Sequence, residues 1–171
     1  MFEGWDSFYL LVGGGSGALI GLLFVVATLN AGADQETALR GASLYMTPVV
    51  FHFAVVLVVS GTAMAPRLGP GPAATIIGLC ALGGLGHAVR IVLSLALARP
   101  LAPAHWSDIW CYGVAPGVFY LALGVAAAGL AQHAAWAADA VALAALALLL
   151  IGIRNAWDLV TWLAPKAQPP R

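Results

Sequence analysis

The chain has 171 residues, of which 62% are hydrophobic and 8% charged, and its formal net charge is zero. Soluble domains carry roughly 25% charged residues, so this composition cannot cover a water-facing surface; with mean hydropathy +0.95 it reads as an integral membrane protein. No long basic run is present, which excludes nucleic acid as a partner and leaves the lipid bilayer as the expected surroundings.

A membrane-crossing helix takes about 20 mostly apolar residues. Five stretches qualify: residues 8–29, 43–65, 73–98, 106–130 and 137–163. The expected fold is therefore all-α, a single transmembrane helical domain over residues 1–171. Its connections are short, so consecutive helices are expected to run antiparallel. The N-terminus carries Glu3 and Asp6 where a signal peptide would be basic, and the first apolar stretch is expected to be retained. Arg40, Arg99, Lys166 and Arg171 fall on one side of the membrane and Arg67 on the other, which predicts an outside N-terminus and a cytoplasmic C-terminus. Trp5 and Trp136 then mark the outer interface, and Trp106, Trp110 and Trp162 the inner one. The small, alanine-rich, loop-poor character suggests a bacterial inner membrane.

In the first helix Gly13, Gly17 and Gly21 follow the small-xxx-small pattern, which suits packing within one protomer or contact in a homo-oligomer. The second helix carries Thr47-Pro48 near its start; a start at Thr47 places His52 near the interface, and a start at Ser43 places it deeper. In the fourth, Gly113, Pro116 and Gly117 predict a mid-helix irregularity, read either as a proline kink or as the broken helix of a transporter. The fifth covers about 40 Å against a hydrocarbon core of about 30 Å. It must tilt, or carry its last turns, with Arg154, Asn155, Asp158, Thr161 and Trp162 in a polar stripe, into the headgroups.

The third helix holds the most informative stretch. Gly83, His87, Arg90 and Ser94 share one face of an otherwise apolar or small-residue helix. Counted from the predicted cytoplasmic ends, His52 and His87 differ in depth by roughly 3 Å, with Arg90 about one turn nearer the cytoplasm. Asp108 approaches at the start of the fourth helix, and Arg154, Asn155 and Asp158 near the end of the fifth. Arg90 is expected to pair with Asp158 or Asp108, and Arg154 with Asp158 at i, i+4. Cys80 and Cys111 differ in depth by roughly 20 Å and belong to no CxxC pair, so neither a disulfide nor a metal site is expected of them.

Three functions fit this polar cluster of His52, His87, Arg90, Asp108, Arg154, Asn155 and Asp158. It could form the pathway of an oligomeric channel or transporter-like protein for a small ion or polar solute, since ionisable groups inside a bilayer mark such pathways. It could be structural, in a non-catalytic accessory or assembly subunit, with Arg90 and Arg154 snorkelling to headgroups or joining a buried ion-pair network that fixes helix packing. Or the two histidines could be axial ligands of haem in a membrane cytochrome, the one reading that calls for a cofactor. Enzyme chemistry has no sequence support: there is no HExxH, no GxSxG and no pair of intramembrane aspartates.

Overall fold

The computed structural model describes residues 2–29, 46–97 and 106–163. The described residues form α1 (Asp6–Leu29), α2 (Thr47–Met64), α3 (Pro70–Leu97), α4 (Trp106–Ile109), a π-helical turn (Trp110–Val114), α5 (Ala115–Ala131) and α6 (Ala137–Leu163). With the π turn and α5 continuous over Trp110–Ala131, the described residues contain five helices long and apolar enough to cross a membrane.

Prolines sit in the first turns of several helices. Pro48 lies in the first turn of α2, where a missing N–H is tolerated, and Met46 just before it also has helical backbone (φ −75°, ψ −43°). Pro70 and Pro72 act alike in α3, which begins three residues before the stretch the sequence delimits. At the far end of α5, His133 takes left-handed backbone (φ 57°). The Ala134 N–H returns to the Gly129 carbonyl at 2.9 Å, which stops the helix and turns the chain into α6.

The packing closes α2, α3, α5 and α6 into a ring, with α1 laid outside it against α2 and the edge of α6. Half of the most apolar window of α2 is buried but only 22% of that of α1, so α2 is the interior helix and α1 the peripheral one. Helices meet through glycines. Gly117 and Gly124 of α5 face Ala88 and Ala81 of α3, an antiparallel register with no bulky side chain between the backbones. Elsewhere a large side chain fills the glycine gap: Phe53 of α2 lies over Gly152 of α6, and Trp136 over Gly129. Lipid tails are as apolar as these side chains, so close packing of this kind, more than exclusion of water, holds the bundle together.

The small-residue pattern of α1 divides. A Cβ at Gly13 would lie 2.7 Å from the Ser60 Cβ, so this glycine sets the α1–α2 approach. Gly17 and Gly21 have nothing within 4 Å of a Cβ and face outward.

Candidate functional site

Four rings meet where α2, α3 and α5 converge. His52 is 1% exposed and Tyr120 fully buried, and the His52 Nδ1 and Tyr120 Oη are hydrogen-bonded at 2.7 Å. Phe51 stacks on His87 with ring centroids 5.2 Å apart, and meets Tyr120 edge-on at 6.3 Å. The cluster therefore joins His52 to His87 through Phe51 and Tyr120. Gly84 makes room for it: a Cβ there would fall within the Tyr120 ring. Gly83, on the same turn, lies against the tip of Phe51.

The hydrogen-bond inventory of this cluster is incomplete. Among the described residues, the buried Nε2 atoms of His52 and His87 have no partner. A buried polar atom without a partner costs about 1–3 kcal/mol, and folded proteins leave few of them. The ring positions themselves are well determined, His52 by its bond to Tyr120 and His87 by its stack on Phe51. Two imidazoles are thus held in the bundle, each with its Nε2 unpartnered.

A second polar site lies toward the α6 C-terminus and is organised by Asn155. In the π turn the Ala115 N–H bonds the Trp110 carbonyl, one residue further back than an α-helix would take it. Carried one residue on, the same register would bring the Cys111 carbonyl to residue 116, a proline with no N–H. Asn155, fully buried, supplies the missing donor: its Nδ2 donates to the Cys111 carbonyl at 2.9 Å. The Tyr112 hydroxyl donates to the Asn155 backbone carbonyl at 3.1 Å, and Arg154 Nη1 donates to Asn155 Oδ1 at 3.1 Å. The irregularity that Pro116 announces is therefore a π turn clamped by one asparagine.

The remaining candidates are placed as follows. Arg154 and Asp158 form an i, i+4 ion pair at 2.9 Å, each side chain 42% exposed. Asp158 is thus engaged along its own helix, and the only described ion pair in the polar stripe is this one. Asn155 leaves the stripe altogether and turns into the bundle. Arg90 is exposed on α3, one turn beyond His87 and close enough for its charge to act on that imidazole. The side chain of Asp108 lies outside the described residues. Cys80 and Cys111 are both free thiols. The expected single cluster therefore resolves into the His52–Tyr120–His87 cluster, with Arg90 exposed at its edge beside His87, and the Asn155 clamp with its ion pair.

Tyr120 is the functional candidate that residue patterns miss. A tyrosine in an apolar helix reads as core, and its one sequence cue is that a buried hydroxyl needs a partner at similar depth. Compared with known proteins, the chain matches no family model, no curated protein and no solved structure.

Proposed function

We propose that this chain is a transporter-like membrane protein that moves a small ion, the proton first among them, through the His52–Tyr120–His87 cluster. The observation that carries the reading is the pair of buried Nε2 atoms left without partners beside a histidine–tyrosine hydrogen bond. Imidazole changes charge near neutral pH, and a tyrosine hydroxyl can both give and take a hydrogen bond, so a His–Tyr contact can hand a proton across. The proposed setting is a bacterial inner membrane with the N-terminus outside, in which the α6 C-terminus and the Asn155 clamp face the cytoplasm.

The test is proton entry into liposomes containing the purified protein, followed with an internal pH dye under an imposed potassium potential. The intact chain is expected to acidify the lumen, and Tyr120→Phe, which keeps the ring and removes the hydroxyl, to slow it by about tenfold or more. Equal rates for the two proteins, both folded, would contradict the proposal.

A second reading draws on the same atoms. Axial ligation of haem needs two imidazole nitrogens on neighbouring helices, and His52 keeps its Nε2 available while Tyr120 holds its Nδ1, the arrangement in which a ligating imidazole is oriented by its other nitrogen. A visible spectrum of the purified protein, before and after dithionite, separates the two. A Soret band lost in His87→Ala favours the cytochrome, and a flat spectrum favours the ion pathway.

A further inference from the structure

The outer face of α3 carries a charge, Arg90, that the helix packing leaves exposed, one turn beyond His87. Gly86, Arg90 and Ser94 stand four residues apart on one helical face. With Val89 and Leu93 they line a shallow recess of about 460 Å³, and all of these residues are exposed. Among the described residues Arg90 has no ion-pair partner, the carboxylate of Asp158 being held by Arg154. A guanidinium on a membrane-facing surface must reach water or an anion.

Depth decides which. α3 has 28 residues, about 42 Å of helix against about 30 Å of hydrocarbon, so a centred helix overhangs by about 6 Å at each end. Arg90 lies about 10 Å of rise before Leu97, which puts its Cα about 4 Å inside the hydrocarbon boundary. An arginine side chain spans that depth and brings its guanidinium to the phosphate layer. Its planar fork matches a phosphate with two parallel hydrogen bonds. Ser94, one turn nearer the headgroups, offers a hydroxyl. Gly86, one turn deeper, offers an open notch, since a Cβ there would meet nothing within 4 Å. Val89 and Leu93 supply apolar flanks.

This order along the helix, hydroxyl then cation then notch, matches a phospholipid read from headgroup to acyl chain. We infer that the Gly86–Arg90–Ser94 face of α3 is a binding site for an anionic phospholipid, with Arg90 on the phosphate and an acyl chain over Gly86. The inference does not require the ion-pathway reading: Arg90 stands beside His87, but the test below reads lipid binding and not flux.

Native mass spectrometry of the full chain, titrated with phosphatidylglycerol or with phosphatidylcholine of the same acyl chains, tests it. The intact protein is expected to bind the first phosphatidylglycerol about fivefold more tightly, as one cation at an anionic headgroup gives. Arg90→Gln should abolish that preference, Arg90→Lys should retain part of it, and Arg154→Gln should leave it unchanged. Gly86→Leu, whose Cβ meets nothing within 4 Å and whose side chain fills the notch, should weaken binding of both lipids. An undiminished preference in Arg90→Gln overturns the inference. So does a loss of dimer mass in Arg90→Gln with lipid preference intact, which would assign the guanidinium to a second copy of the chain.

Discussion

Gly84 and Tyr120 show how one absent side chain shapes the site. The glycine leaves a flat patch on α3, the tyrosine ring fills it, and the hydroxyl is thereby delivered to His52. Gly84→Ala should force the ring or the helix to move, at a cost of about 1–3 kcal/mol typical of overpacking. Thermal unfolding in detergent should show the loss, whereas Gly86→Ala, at an open position, should leave the midpoint unchanged. Asn155 makes the same point for hydrogen bonding. Asn155→Leu would leave the Cys111 carbonyl without its donor, and should lower stability by about 1–3 kcal/mol. Arg154→Gln removes only a half-exposed pair and should change it by about 1 kcal/mol or less. A larger effect for Arg154 than for Asn155 would show that the ion pair, and not the clamp, holds this end of the bundle. The histidines were legible in the sequence because charge-bearing residues stand out in apolar helices. Tyr120 was not, because its role depends on which ring faces which glycine across two helices.

Among the elements, apolar length made the spans legible to within a few residues, since the bilayer fixes how much helix is needed. Helix starts were harder. Pro70 reads as a breaker in a string of letters but is a normal first-turn residue once the helix has begun. The π turn was legible only as an irregularity near Pro116, because the donor that satisfies it comes from α6, about 40 residues downstream in the chain. The glycines of α1 looked equivalent and are not. Gly13→Leu should separate α1 from α2 and destabilise the fold, while Gly17→Leu should leave the protomer intact, as unfolding midpoints of the two variants would record. Loss of a higher-mass species in Gly17→Leu alone would place a second copy against the outer face of α1.

For the whole molecule, composition was enough to identify a helical membrane protein, because 8% charged residues cannot solvate a globular surface. Its polar residues, read as one cluster at one end, are divided by the packing into a buried ring cluster, a clamped turn and an outward arginine. That division comes from helix rotation, which depth counting does not contain: Arg90 and His87 are less than one turn apart and face different surroundings. The ring cluster, with its two unpartnered nitrogens, is the place from which activity is expected, and the other two are expected to support structure and lipid contact.

The most direct measurement is the proton flux of His87→Gln liposomes set beside those of the intact chain, at matched protein content and with folding checked by unfolding midpoint. Glutamine keeps hydrogen-bonding capacity but cannot take up a proton near neutral pH, so the account predicts flux lower by about tenfold or more, in a protein that remains folded. Unchanged flux in that folded variant would contradict the claim that the buried histidine–tyrosine cluster is the pathway.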